Sequence, residues 1–336
     1  MKYYNSMQDL IGNTPLVRLG NVGLPEGINV FAKLELFNPA GSVKDRIGRA
    51  MIADAEARGV LKEGGTIVEG TAGNTGLGIA FAALAKGYRV IFVVPTKFSA
   101  EKQTLMRALG AEIVNTPREE GMLGAAKKAE EIRSSIPGAI SLEQFKNPAN
   151  PLAHYETTGP EIYSALDGKI DYFVAGAGSG GTYAGIVRYL KEQNPEIKGV
   201  LADPVGSTMG GGEHGDYNIE GIGNDFVPDT MDMSLVDKVV KITDDDAFGG
   251  ARLLARKEGI FAGSSSGGAF AAAKKLASEL VKERENAGKN GLEGGNGSSS
   301  GDTSSAGKTA FSGKEINIVV VFPDRGDRYF SKGLYE

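Results

Sequence analysis

Three glycine-rich turns carry residue types that could hold an anion: Gly70-Thr71-Ala72-Gly73-Asn74-Thr75-Gly76, Gly176-Ala177-Gly178-Ser179-Gly180-Gly181-Thr182 and Gly263-Ser264-Ser265-Ser266-Gly267-Gly268. Each follows an apolar run and opens a helical pattern. Glycine allows close backbone approach there, while unpaired amides and the helix dipole attract phosphate or carboxylate. One such turn is an ordinary strand-to-helix connection; three in one chain, each with Ser or Thr donors, point to a ligand site. The 176–182 turn contains no Lys or Arg, so neutral donors would have to carry a phosphate, and a Walker-type lysine is missing. Its glycine spacing is compressed for a dinucleotide fingerprint, and Asp203 falls past the usual ribose position. A phosphate monoester is favoured over NAD, and ATP is disfavoured.

Lys44 lies in Asn38-Pro39-Ala40-Gly41-Ser42-Val43-Lys44-Asp45-Arg46, in the first turn of a helical pattern with Ser42 as its candidate cap. The positive end of a helix favours the neutral, nucleophilic amine. On residue types alone, a solvated lysine paired with Asp45 or Glu35 is the more ordinary reading. The chain has no cysteine, which excludes disulfides, thiolate zinc sites and a cysteine nucleophile. Of two histidines, His154 reads as a structural helix residue and His214 as a solvated loop residue. Asp203, Glu213, Asp216 and Asp225 share a glycine-rich stretch without ligand spacing, so no metal is expected.

The elements that must position these residues alternate. Strands are predicted over 29–35, 66–68, 89–94, 112–114, 171–175, 197–202, 239–242 and 316–322. Helices are predicted over 42–58, 75–86, 99–109, 121–135, 151–166, 181–193, 244–258 and 266–284. Such alternation implies an α/β fold with parallel sheets of right-handed βαβ units, and the nearly all-apolar strands imply helices on both faces. At 336 residues, the chain suits two medium domains or one large one, given roughly 100–200 residues per domain. Residues 286–315 are Gly/Ser-rich and read as a flexible surface insertion inside a domain. With Lys plus Arg at 37 against Asp plus Glu at 42, no basic field steers the chain to nucleic acid. No apolar run approaches the roughly 20 residues that span a bilayer, and the polar start of the chain is not a secretory signal, so a cytoplasmic location is expected.

Taken in order, Pro39-Ala40-Gly41-Ser42-Val43-Lys44-Asp45-Arg46, Thr71-Ala72-Gly73-Asn74-Thr75-Gly76, Gln144-Phe145-Lys146-Asn147-Pro148-Ala149-Asn150-Pro151, Gly178-Ser179-Gly180-Gly181-Thr182, Glu220-Gly221-Ile222-Gly223 and Gly263-Ser264-Ser265-Ser266-Gly267 closely resemble the cysteine synthase and cystathionine β-synthase family of pyridoxal-phosphate enzymes. The resemblance runs from Ile11 to Tyr329 and spares the Gly/Ser insertion. It implies the second fold type of these enzymes: two doubly wound domains with mainly parallel sheets, a smaller mobile domain (40–148) closing on a larger one (1–39 plus 149–336), in a homodimer.

Carried over residue by residue, Lys44 matches the Schiff-base lysine and Asn74 the donor to the cofactor's phenolic oxygen. Gly178, Ser179, Gly180, Gly181 and Thr182 match the phosphate cup, and Ser265 the serine facing the pyridine nitrogen. Thr71, Ala72, Asn74, Thr75 and Gln144 match the pocket for the amino-acid carboxylate, and Gly221 a loop on the substrate side. The implied activity is replacement of the β-substituent of O-acetylserine, or serine, by a thiol through an α-aminoacrylate, giving cystathionine from homocysteine or cysteine from sulfide. Ala72 stands where many cysteine synthases have Ser; it removes a donor, enlarges the site and tilts the expectation toward homocysteine. A neutral serine at the pyridine nitrogen disfavours long-lived carbanions, so elimination competes well with racemisation. Haem is not expected without cysteine. The alternatives are a serine or threonine dehydratase of the same fold, and a non-catalytic scaffold, which intact Lys44 and Asn74 argue against.

Overall fold

In a computed structural model, residues 3–84, 86–96, 99–292 and 314–336 are described, the side chains of 287–292 excepted. In chain order the strands are β1 (Leu16–Arg18), β2 (Ile28–Leu34), β3 (Thr66–Gly70), β4 (Arg89–Pro95), β5 (Glu112–Thr116), β6 (Tyr172–Gly176), β7 (Lys198–Pro204), β8 (Lys238–Ile242) and β9 (Ile316–Phe322). The helices are α1 (Lys44–Ala57), α2 (Asn74–Ala83), α3 (Ala100–Ala108), α4 (Gly121–Ser135), α5 (Ala149–Ala153), α6 (Gly159–Ala165), α7 (Gly181–Gln193), α8 (Asp244–Glu258) and α9 (Ser264–Leu292).

Two sheets result. The larger runs β1-β2-β9-β6-β7-β8, parallel throughout except for the antiparallel edge strand β1. The smaller is parallel, in the order β3-β4-β5. Strand periodicity explains why both are covered on two faces. Along β9, Ile318, Val320 and Phe322 enter one core cluster while Val319 and Val321 enter the opposite one. Along β4, Val90, Phe92 and Val94 face one way and Ile91 and Val93 the other. Between α1 and α2 the backbones touch: a Cβ on Gly78 would lie 2.2 Å from the Lys44 carbonyl oxygen. Glycine there brings the N-terminal turns of the two helices side by side.

Three departures from the expected elements have physical causes. The helix expected over 151–166 is broken by a π-helical turn, His154–Thr158. Pro160 lacks the N–H that would pair with the Glu156 carbonyl, and a widened turn relieves the clash. β1 was not expected, because three residues are too few for a readable alternation. The helix expected over 266–284 runs from Ser264 to Leu292, into the start of the expected insertion; residues 293–313 of that insertion lie outside the described residues. Among the described residues, no helix is long and apolar enough to cross a membrane.

Candidate active site

The carboxyl ends of β6 and β9 and the N-terminus of α1 meet at one cavity. It is lined by Val43, Lys44, residues 175–180, Thr182, Tyr183, Gly221, Ile222, Val321 and Pro323. Parallel sheets form ligand sites at this end of their strands. Lys44 opens α1, and its backbone N–H donates to Ser42 Oγ at 3.2 Å although Val43 occupies the cap position. The Val43 N–H donates to the Pro323 carbonyl at 2.8 Å, pinning this turn to the end of β9.

Lys44 is half-buried and joins no ion pair among the described residues, contrary to the solvated pair with Asp45 or Glu35 that its residue type suggested. Asp45 instead turns back to accept the Ala40 N–H at 2.6 Å. Glu35 pairs with Arg46. Burial brings the Lys44 amine down to about 8, against the pull of the negative charges on Asp324 and Glu35. Two residues further along α1, Arg46 donates to Glu35 at 2.7 and 2.8 Å and to Glu161 at 2.7 Å through each of two nitrogens. Lys33 joins Glu161 at 2.6 Å, so two buried cations and two carboxylates anchor the helix that presents Lys44.

Behind the cavity, the 176–182 turn is held by side chains from elsewhere. Gly180 has φ +83°, and a Cβ there would lie 2.4 Å from Met231 Cβ, so the turn requires glycine. Ser179 Oγ accepts from Asn150 Nδ2 at 2.9 Å, which leaves its own hydroxyl proton free to donate. Thr230 donates to the Ser179 carbonyl, and Asn224 to the Gly178 carbonyl, both at 2.5 Å. The Gly223 N–H donates to the Ala177 carbonyl at 2.8 Å, so the loop carrying Gly221 is stitched to the turn. Gly181 begins α7, whose first amides lack intrahelical partners. His154 is buried, as expected of a structural residue, and meets Thr158 Oγ1 at 2.9 Å and Thr182 Oγ1 at 3.1 Å. Burial and the nearby Arg46 push it down to about 3, so it is a neutral imidazole.

Beside the start of α1, Asn74 opens α2. Its Nδ2 donates to Asp324 Oδ2 at 2.7 Å, and its Oδ1 accepts from Arg328 at 2.6 Å. Thr75 Oγ1 donates to Gln144 Oε1 at 2.6 Å, Thr71 is buried, and Ala72 packs half-buried against the core of the small sheet. Of the three serines before α9 continues, Ser264 Oγ accepts the Glu220 N–H at 3.1 Å, Ser265 makes no side-chain hydrogen bond among the described residues, and Ser266 Oγ is buried without a partner. The structure thus gathers Lys44, Gly178, Ser179, Gly180, Thr182 and Gly221 around one cavity, with Gly181 at the helix start behind it. Thr71, Ala72, Asn74, Thr75, Gln144 and Ser265 lie outside that lining. Sequence reasoning assigned no role to Asp324, Arg328, Asn150, Asn224 or Thr230; Asn150, in α5, stands in the 144–151 motif, and the others lie where no local pattern marks a partner. His214 is exposed and pairs with Asp225, Asp203 pairs with Lys241, and no acidic or histidine cluster suited to a metal occurs among the described residues.

Comparison with known proteins places this geometry in a family. The profile of pyridoxal-phosphate dependent enzymes matches residues 7–287. An O-acetylserine dependent cystathionine beta-synthase of Bacillus subtilis is 47% identical over 336 residues, covering 100% of this chain and 99% of the relative. A cysteine synthase of Helicobacter pylori is 43% identical, covering 100% of both. The crystal structure of O-acetylserine dependent cystathionine beta-synthase from Helicobacter pylori superposes with a TM-score of 0.86 at 42% identity, covering 100% of both chains. The chain belongs to the pyridoxal-phosphate dependent enzymes, within the cysteine synthase and cystathionine β-synthase group, and has the type II fold expected from its sequence. Its cofactor is pyridoxal phosphate.

Proposed function

We propose that this chain catalyses β-replacement on O-acetylserine, or serine, by a thiol, with homocysteine favoured over sulfide as acceptor. One observation carries the reading: Lys44, an amine brought down to about 8, lines the same cavity as a turn of neutral donors opening a helix. The residues fit the cofactor. The hydroxyls of Ser179 and Thr182 and the first amides of α7 suit a phosphate without any cation, and the close-packed glycines leave no Cβ in its way. Ser265 offers an uncommitted hydroxyl for the pyridine nitrogen, and Asn74 keeps an N–H for the phenolic oxygen.

When bound, pyridoxal phosphate supplies an electron sink for negative charge at the substrate's α-carbon. Lys44, whose amine is brought down to about 8, takes the α-proton on Nζ from the fraction that is neutral and later returns it. Thr71, Asn74, Thr75 and Gln144 hold the substrate carboxylate, with the Thr75–Gln144 hydrogen bond fixing both side chains. Ala72 leaves room beside them for a larger acceptor, and the Bacillus relative carries cystathionine synthesis in its name. The relatives reported above are named for β-replacement, and the dehydratase reading finds no support among them. Residues 40–148 would move as the smaller domain. The exposed Phe261 and Phe330, each edge-on to Tyr335 with ring centroids at 5.9 and 6.2 Å, offer an apolar surface for a cytoplasmic homodimer, which sedimentation would show as twice the chain mass.

The test is the visible absorption of the protein loaded with pyridoxal phosphate. A band that shifts with O-acetylserine and returns faster with homocysteine than with sulfide is expected, and Lys44→Ala loses both band and turnover. A strong sulfide preference reverses the acceptor assignment, and near-normal activity in Lys44→Ala defeats the reading.

A further inference from the structure

A carboxamide can present either its oxygen or its N–H groups, and the two orientations have nearly the same shape. At Asn74 the surroundings choose between them. Nδ2 faces Asp324 Oδ2 at 2.7 Å, and a carboxylate only accepts; Oδ1 faces the Arg328 guanidinium at 2.6 Å, which only donates. Flipping the amide would set oxygen against carboxylate and N–H against guanidinium, losing two charge-assisted bonds at once. Both partners are themselves anchored. Asp324 is buried, accepts from the Tyr329 hydroxyl, and has its backbone tied to the segment before Lys44 by a bridge to Ser42 and to the Gly263 N–H at 3.0 Å. Arg328 also donates to the Ala40 carbonyl.

We propose that Asp324 and Arg328 are positioning residues that lock the polarity of Asn74, so that the amide offers its remaining N–H, and never its oxygen, to a bound ligand. The inference rests on the cofactor reading above and extends it to two residues that touch no reacting atom. A donor fixed in this way selects an anionic oxygen, as on the cofactor ring, and rejects a ligand that presents a hydrogen there. Burial raises the Asp324 carboxyl while the Tyr329 and Asn74 donors, with Lys102 and Arg328 nearby, oppose that rise. Oδ1 has no hydrogen-bond partner among the described residues, so Oδ2 alone carries the bonds from Asn74 and Tyr329.

The test compares wild type, Asp324→Asn, Asn74→Ala and the double variant by pyridoxal phosphate affinity, with the side-chain amide resonances of selectively labelled Asn74 read in cofactor-free protein. Asp324→Asn should bind the cofactor about tenfold more weakly and exchange the Asn74 amide protons about tenfold faster. In the Asn74→Ala background, the same change should alter affinity less than about twofold. If Asp324→Asn does not fold, Arg328→Gln, which removes the partner of Oδ1, should produce the same two effects. Unchanged affinity and exchange, or an equal tenfold loss without Asn74, overturns the lock. A wild-type chain that binds no pyridoxal phosphate defeats the cofactor reading instead, and the amide exchange still decides the lock.

Discussion

Replacing Glu35 with Gln tests how firmly the helix bearing Lys44 is anchored. Glu35 is fully buried and accepts from four groups: Arg46 Nε at 2.7 Å, Arg46 Nη2 at 2.8 Å, Thr14 Oγ1 at 2.6 Å and Asn38 Nδ2 at 2.8 Å. Gln keeps the shape but turns one acceptor into a donor, so its NH2 must face another donor. Burial alone would raise the Glu35 carboxyl; Arg46, Thr14 and Lys33 outweigh it and hold it down to about 2 from an ordinary 4.5. That difference corresponds to about 3 kcal/mol. Because the folded value lies below the unfolded one, this stability is present above pH 4.5 and is lost as the pH falls toward 2. Urea unfolding followed by tyrosine fluorescence, in a chain without tryptophan, should therefore show Glu35→Gln weaker by about 3 kcal/mol at pH 7, with the gap roughly halved by pH 3. Turnover should also fall by about tenfold as α1 loosens. A gap under about 1 kcal/mol at pH 7, or one that does not narrow with acid, would show that the Arg46–Glu161 pair alone suffices and refute the reasoning.

Two further outcomes follow from the cavity itself. Capture of pyridoxal phosphate by the cofactor-free protein needs the neutral Lys44 amine, which its value of about 8 makes scarce in acid. The capture rate measured by stopped-flow absorbance should climb about tenfold per pH unit below 8 and level off above it; a flat profile from pH 6 to 9 would contradict the placement of Lys44. In Gly178→Ala, the added Cβ would lie 2.4 Å from the Gly221 carbonyl oxygen, a backbone atom that cannot step aside cheaply. Cofactor affinity should drop at least about tenfold by equilibrium titration, and an unchanged affinity would mean that the stitched loop is free to move.

What could be read from the chain divides along a physical line. Strands β4 and β9 and helix α8 were legible because their signals are local: alternating burial in an all-apolar run, and a Thr243–Asp246 capping box closed by Gly259 at φ +68°. The 176–182 turn was legible as a glycine-rich opening of a helix because that signal lies in consecutive residues, whereas the roles expected of Lys44 and Asn74 came from the family resemblance. Asp324 and Arg328 reach Asn74 from about 250 positions away in the chain, and Asn150 reaches Ser179 across 29; no spacing rule connects such pairs before the sheets fold. The same limit misled the reading of Lys44. Asp45 and Glu35 are its neighbours in sequence, yet one is taken by the Ala40 amide and the other by Arg46, and the lysine has no ion-pair partner among the described residues because both candidates are committed elsewhere. The free amine is thus a property of the network around it rather than of Lys44 itself, so substitutions at Glu35 should reach the chemistry without touching a ligand.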